Sequence, residues 1–243
     1  MGLRIYNNVE AQNAHRQLQA TNDKLSSTME RLSSGLRINR AADDAAGLAV
    51  SEEMRTQIRG MRVASRNALD GVSLVQVADG ALGGVNDMLQ RVRDLAVQAA
   101  NGTLTDLQRA NLDQEVQSIV AEMARVATDT EFNGIKILSG SVATAACAVT
   151  LQVGANGSQV IAFTVGTMTA ADLGISGLSV STSASATAAI ASLDAAIRTV
   201  NSQRASMGAI QNRLEQTISR LELTSETCRP PSRASATPTW RPR

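Results

Sequence analysis

The chain has 243 residues, a formal net charge of +1 at pH 7 and two cysteines. This near-neutral charge favours neither nucleic acid nor an anionic membrane as a partner, and we expect neither. Hydrophobic residues make up 43% of the sequence but aromatic residues only 2%. That balance argues against a thick globular core and favours long helical seams, where small side chains let helices approach closely.

The first predicted element is a helix from Met1 to Arg37. Apolar or small residues recur on it at alternating spacings of three and four: Ala11, Ala14, Leu18, Thr21, Leu25, Thr28 and Leu32. This spacing is typical of a helix that buries one narrow stripe against another helix. A helix with so thin a stripe is unstable alone in water, so the pattern predicts a partner helix.

A second, longer helix is predicted from Asp44 to about Gly102. Gly35 can end the first helix, and Asp43 or Asp44 can cap the start of the second. The glycine-rich run from Gly80 to Gly84 is where this second helix could break. Its apolar seam consists of Met54, Ile58, Met61, Ala68, Val72, Val75, Leu82 and Leu89.

A third helix is predicted after a cap at Thr105 or Asp106, and it stops before the turn signal Phe132-Asn133-Gly134. Its apolar face carries Leu112, Val116, Ile119, Met123 and Val126.

The period changes from residue 140 to residue 185. Val149, Leu151 and Val153 alternate with other residues, a GANGS turn follows, and a second alternating run begins at Val160. This pattern predicts a β-hairpin.

A fourth helix is predicted from Ala186 to about Glu226. An antiparallel return of this helix onto the second and third would bury all three stripes. Its seam consists of Ile190, Leu193, Ile197, Val200, Met207, Leu214 and Leu221.

The predicted fold is therefore mainly α, a long antiparallel helical bundle or coiled coil with a small β-hairpin region. We divide it into an N-terminal helix with its linker, the N-terminal part of a helical rod, a short hairpin region, a C-terminal return helix and a disordered tail. These segments span residues 1–43, 44–139, 140–185, 186–226 and 227–243.

The sequence offers no set of residues suited to catalysis. The single histidine, His15, falls on the polar side of the first helix. The neighbouring carboxylates Asp43-Asp44 and Glu52-Glu53 point about 100° apart on a helix, so capping and salt bridging explain them better than a metal site. Cys147 and Cys228 lack metal-ligand spacing. We expect no catalytic, cofactor-binding or metal-binding residue, and no enzymatic activity.

Several motifs resemble bacterial flagellin. SSGLRIN, AADDAAGLA and SEEMRTQIRG follow one another between Ser33 and Gly60, and LQRVRDLAVQAANGT and TEFNGIKIL follow further along. The opening segment and NRLEQTI near residue 215 are also similar to that family. The likeness covers roughly Met1 to Glu226.

The resemblance implies a structural subunit of the flagellar filament that serves motility. In flagellins the terminal helices pair as a coiled coil in an inner tube, which assigns self-assembly to Leu18, Leu25 and Leu32. The resemblance also implies secretion through the flagellar type III export apparatus with an export chaperone, and no secretory signal pattern is visible at Met1. Family likeness further assigns Toll-like receptor 5 binding to Arg91, Leu95 and Glu115, although subunit packing is an alternative role for them.

The stretch after Glu226, TCRPPSRASATPTWRPR, departs from the family and holds all four prolines. Proline cannot continue a helix, so we predict an unstructured tail. A one-base offset of its codons permits a family-like reading, and we hypothesise a frameshift near codon 226, which resequencing of the gene tests. One rival function stays open: an assembly-defective monomeric receptor ligand that lacks the C-terminal inner helix. An enzyme or adhesin built on a flagellin frame is disfavoured, because the short segment 140–185 leaves no room for a catalytic domain.

Overall fold

The structure is a computed structural model that describes residues 8–35, 37–140, 142 and 148–228. Its helices are α1 (Val9–Ser34), α2 (Ala45–Ala100), α3 (Asp106–Asp129) and α4 (Ser183–Thr227). Its strands are β1 (Glu131–Phe132), β2 (Ile135–Lys136), β3 (Val149–Gln152) and β4 (Val160–Phe163). The prediction of a mainly α protein with a small hairpin region is confirmed.

The helix ends follow local capping chemistry. The Asn8 side chain accepts from Ala11 N and caps α1, which begins at Val9. Gly35 adopts a left-handed conformation with φ 67° and ends α1 three residues before the predicted end. Asp44 Oδ1 accepts from Gly47 N at 2.9 Å, which confirms Asp44 as the cap of α2. Thr105 forms a capping box with Gln108 at the start of α3.

The long helix α2 runs unbroken from Ala45 to Ala100. The glycine run does not interrupt it, because small and apolar residues at Ala78, Leu82 and Val85 keep one face of this stretch in the core. Glycine lowers helix propensity by about 1 kcal/mol relative to alanine, which packing of the buried face can offset.

The chain divides into two units, one of Met1–Arg59 with Ser225–Arg243 and one of Gly60–Thr224. The core of the second unit is formed by α2, α3 and α4 with the segment that joins α3 to α4. Every seventh residue of the predicted α2 seam from Met61 onward is buried: Met61, Ala68, Val75, Leu82 and Leu89. Alanines such as Ala64, Ala78 and Ala96 complete this seam. The five-part division made from the sequence stays a prediction.

Two ion pairs define the antiparallel course of α4 along α2. Asp79 Oδ1 accepts from Arg204 Nε at 3.0 Å, and Arg93 Nε donates to Asp194 Oδ1 at 2.7 Å. As the chain advances along α2, its partner residues on α4 fall in number. The predicted antiparallel return is therefore confirmed.

The predicted hairpin forms between β3 and β4, with Val149 opposite Phe163 and Leu151 opposite Ile161. It lies against α2, where Asn67 Nδ2 donates to Gln152 O at 3.1 Å. Gly60 of α2 permits this approach, because a Cβ there would lie 2.9 Å from Ala155 Cβ.

A second, smaller hairpin pairs β1 with β2 through Asn133 and Gly134, both at positive φ. The sequence predicted only a turn at this place. Two consecutive residues at positive φ form a two-residue turn whose twist matches that of paired strands. The turn signal at Asn133-Gly134 therefore corresponds to a hairpin.

Some predictions fall on residues outside the described part of the chain. These are the first seven residues of the predicted first helix, Cys147, and residues 229–243 of the predicted tail. α2 ends at Ala100, two residues before the predicted Gly102, and α4 begins at Ser183, three residues before the predicted Ala186.

Candidate self-association surface

The apolar stripe of α1 is exposed along its whole length. Leu18, Leu25 and Leu32 are 70%, 59% and 78% exposed, and α1 contains no buried residue. At 1.5 Å per residue the 26 residues of α1 extend about 39 Å. Full burial of a leucine side chain contributes about 1.5–3 kcal/mol of favourable free energy. Burial of these three leucines against another helix would therefore strongly stabilise an association.

One further apolar side chain widens the stripe and was missed from the sequence. Met29 is 61% exposed and follows Leu25 by four residues, which places it on an adjacent position of the same side of the helix. The signal was present in the spacing from Leu25 to Met29, but the strict heptad did not include it.

The hydrogen bonds made by the threonines of the stripe are local and leave the stripe open. Thr21 and Thr28, which lie within the stripe, turn their hydroxyl groups to the carbonyl oxygens of Gln17 and Lys24, each at 2.8 Å. Their methyl groups are thus the parts available for apolar contact. The stripe therefore presents leucine, alanine and threonine methyl groups, which are small enough for close helix pairing.

The three residues assigned to receptor binding by family likeness occupy different environments. Arg91 on α2 donates through Nη2 and Nε to Glu115 Oε1 on α3, at 2.7 and 3.1 Å. These side chains are 58% and 43% exposed. Leu95 is 1% exposed and packs in the core, so the structure brings Arg91 and Glu115 together at the surface but not Leu95.

Chemistry of other kinds finds no support among the described residues. His15 is exposed on α1, and Glu52 pairs with Arg55 at 2.6 Å. Within the described ranges, no group of three or more histidine, cysteine, aspartate or glutamate residues could hold a metal ion. Of the helices that the structure describes, none combines the length and the apolar character needed to cross a membrane.

Fold and surface together define a helical-bundle protein whose N-terminal helix presents an uncovered heptad stripe. A family model described as "Bacterial flagellin N-terminal helical region" matches residues 5–143, and one described as "Bacterial flagellin C-terminal helical region" matches residues 190–229. The chain belongs to the bacterial flagellin family. Flagellins are structural filament proteins, which confirms the prediction that this chain is not an enzyme.

Relatives of known identity support this assignment over most of the chain. The chain is 44% identical to the "Flagellar filament 33 kDa core protein" of Treponema phagedenis, over 91% of this chain and 82% of that protein. It is 45% identical to the flagellin of Halalkalibacterium halodurans, over 91% of this chain and 81% of that protein.

Among solved structures, the crystal structure of Bacillus cereus flagellin is similar at a TM-score of 0.57 and 31% identity. The likeness covers 64% of this chain and 88% of that one. The fold of this chain is thus a flagellin fold.

Proposed function

We propose that this chain is a structural subunit of a bacterial flagellar filament and associates with other copies of itself through the stripe of α1. Family membership supports the filament role, since its relatives include proteins named as filament core proteins. The observation that carries the association surface is the exposure of Leu18, Leu25 and Leu32 on a helix with no buried residue.

A helix of this kind needs a cover. Isolated helices are marginal in water even at good propensity, and most helix stability in proteins comes from packing of an apolar face. A subunit that uses unlike surfaces and repeats them without closure forms a helical filament. The stripe of α1 supplies one such surface at the start of the chain.

The test replaces the stripe leucines one at a time and together by glutamine, as Leu18→Gln, Leu25→Gln and Leu32→Gln. We expect the purified parent chain to sediment as filaments above a critical concentration, and the triple variant to stay in the supernatant. Sedimentation and negative-stain microscopy over a concentration series measure the effect, and far-UV circular dichroism checks that the remaining helices persist.

Leu107→Gln is the matched control, because Leu107 is 75% exposed but belongs to a different helix, α3. If Leu107→Gln raises the critical concentration as much as Leu25→Gln, association does not depend on the stripe. If the parent chain stays monomeric at all concentrations, the filament role is wrong for this chain, and the rival role as a monomeric ligand gains support.

We further propose that Arg91 and Glu115 form a contact surface for Toll-like receptor 5, as family likeness implies. Their exposed ion pair across α2 and α3 supports this proposal. Because Leu95 is buried, we assign it a positioning role beneath the surface formed by Arg91 and Glu115, and not a direct contact with the receptor.

The receptor proposal is tested in reporter cells that express the receptor, with Arg91→Glu, Glu115→Arg and the double reversal. The double reversal restores the ion pair but reverses the charges that a receptor meets. A loss of signalling in all three variants supports receptor contact. Parental signalling in all three variants, with loss of sedimentation instead, assigns the pair to subunit packing.

Export through the flagellar type III apparatus, with help from a chaperone, and secretion to the filament are also part of the proposed function. Membership of a family whose filaments lie outside the cell supports them. Immunodetection of the chain in the medium of strains with and without the export apparatus tests this. Equal secretion by both strains would contradict it.

A further inference from the structure

The segment that joins α1 to α2 is held by two carboxylates. We call residues 30–35 and 37–47 the α1–α2 joint. Asp43 Oδ2 accepts from Asn39 N and Arg40 N, both at 3.3 Å, and Asp43 Oδ1 accepts from Arg31 Nη2 at 3.2 Å. One carboxylate thus ties two backbone groups of the connection to the last turn of α1.

Glu30 on α1 is the second carboxylate. Its Oε1 accepts from Asn39 Nδ2 at 2.7 Å and from Arg40 Nε at 3.0 Å. Asn39 and Arg40 are therefore bound twice, through their backbone by Asp43 and through their side chains by Glu30. Hydrogen bonds to ionised groups are stronger than neutral ones, and a closed set holds a geometry better than separate pairs do.

The two ends of the joint are also fixed. Gly35 turns the chain in a left-handed conformation and donates its N–H to Arg31 O at 2.9 Å. Asp44 caps α2 by accepting from Gly47 N. A Cβ at Gly47 would lie 3.0 Å from Ile38 Cδ1, so the connection packs closely on the first turn of α2.

The joint holds α1 through Glu30, which lies away from the stripe, and through Arg31, which lies beside it. Two residues turn an α-helix by about 200°, so Glu30 lies nearly opposite both Thr28 and Leu32. Leu32, the stripe residue next to Arg31, is nevertheless 78% exposed, so the contacts that hold α1 to the joint leave the stripe uncovered. This arrangement separates the surface that fixes the direction of α1 from the surface that a second copy would meet.

We propose that Asp43 and Glu30 are positioning residues, which fix the direction of α1 relative to the start of α2 and so aim the stripe at a second copy of the chain. The aiming rests on the function proposed above, whereas the fixed geometry is a property of the single chain. If the connection were flexible, α1 would lose conformational entropy on association, and this loss would weaken binding.

The geometry is tested on the monomeric full-length chain with paired spin labels at Gln19→Cys on α1 and Glu53→Cys on α2. The background carries Cys147→Ser and Cys228→Ser. We expect one narrow distance distribution between the labels in this parent. Asp43→Ala and Glu30→Ala are each expected to broaden it, because each removes every contact of one carboxylate. Asp43→Asn keeps one oxygen that can accept from the two backbone groups and loses the acceptor for Arg31, so it should broaden the distribution less.

Asp23→Ala is the matched control, since it removes the same charge from α1 outside the joint. A broad distribution in the parent, or a narrow one in Asp43→Ala, overturns the proposal. Sedimentation then tests the aiming. Asp43→Ala should raise the critical concentration about fivefold or more, the size expected for lost charge-assisted hydrogen bonds, while Asp23→Ala leaves it near the parental value.

The two readouts separate the failure of each idea. If neither the parent nor any variant sediments, the filament role is wrong. The label distances then still test whether Asp43 and Glu30 fix the direction of α1. If Asp43→Ala broadens the distances but sediments as the parent does, the joint orders α1 without aiming it, and the aiming is wrong.

Discussion

Helices α1 and α4 carry the same kind of heptad pattern but have opposite surroundings. On α4, Leu193 and Leu214 are completely buried, together with eight other positions of that helix. On α1, Leu18 is 70% exposed and no residue is buried. The periodicity therefore predicts that a helix has a stripe, but what covers the stripe depends on partners that the pattern does not name.

The chemistry of the two stripes is also alike. α4 places alanines such as Ala189 and Ala196 between its leucines, as α1 places Ala14 and its threonines between its own. Small residues let helices approach closely in both cases. The two stripes differ in what packs on them. The stripe of α4 packs in a core with α2 and α3, whereas the stripe of α1 is exposed and, in the association proposed above, packs on another copy of the chain.

The strongest test of this contrast truncates one leucine on each helix. Leu214→Ala should lower the free energy of unfolding of the monomer by about 2–5 kcal/mol, because it leaves a cavity in a packed core. Leu25→Ala should change it by less than about 0.5 kcal/mol, as an exposed substitution does. Urea denaturation followed by far-UV circular dichroism measures both. Similar losses in the two variants would mean that the stripe of α1 is covered in the monomer.

A buried arginine sharpens the contrast on the polar side. Arg109 is 7% exposed, and its guanidinium donates to Ala99 O and Asn101 O, both at 3.0 Å. It thereby satisfies carbonyl groups at the end of α2. We expect Arg109→Ala to lower the free energy of unfolding by about 2–3 kcal/mol, because those carbonyls lose charged donors.

Arg125→Ala is the control for this prediction. Arg125 is 60% exposed and pairs with Glu122 and Asp129 on its own helix, and such surface pairs contribute about 0–1 kcal/mol. An equal loss in the two variants would show that the buried position of Arg109 adds nothing.

Glycines of α2 offer a test of smaller effect. No heavy atom lies within 4 Å of a Cβ built at Gly80, so Gly80→Ala should stabilise the helix by about 1 kcal/mol and raise the thermal midpoint by about 2–4 °C. Gly60→Ala gains the same propensity but must displace Ala155 of the hairpin loop. Its midpoint should fall below that of Gly80→Ala by calorimetry, and the reverse order would mean that the hairpin does not press on α2.

The α1–α2 joint should differ from the apolar core in its dependence on pH. Hydrogen bonds from Asn39 N and Arg40 N, and the nearby Arg31, hold the pKa of Asp43 below its ordinary value of 3.8. A lowered pKa stabilises the fold fully above that ordinary value and ceases to do so as the pH falls through the folded pKa. The difference in label distances between the parent and Asp43→Asn, which isolates Asp43 from Glu30, should therefore stay constant from pH 7 to about pH 5 and disappear only below 3.8. Loss of this difference already at pH 5 would exclude Asp43 as its cause.

Much of this arrangement could be predicted from the sequence because it depends on near neighbours along the chain. The caps at Gly35, Asp44 and Thr105 act within a few residues, and the heptad seams fix which face of each helix is apolar. The hairpin from Val149 was visible as an alternation of period two.

The remainder depends on residues distant in the chain. Local propensity suggested a break at Gly80–Gly84, but packing of the opposite face keeps α2 continuous. Family likeness placed Leu95 beside Arg91 and Glu115 as a contact, whereas tertiary packing buries it. Glu30 can bind the side chains of Asn39 and Arg40 only because the chain brings these two residues back beside α1. They lie nine and ten residues after Glu30, and no rule of sequence spacing predicts such a contact.

The pairing of α2 with α4 has a consequence for the timing of folding. The ion pairs between these helices join residues 101 and 125 positions apart, whereas Arg91 and Glu115 are only 24 apart. Contacts of such long sequence separation close late, since the loop entropy must be lost before they form. α2 and α3 can meet early, but the core stays open until the residues around Leu214 arrive. A chain released into solution from its N-terminus therefore completes its core only when nearly all of it has emerged.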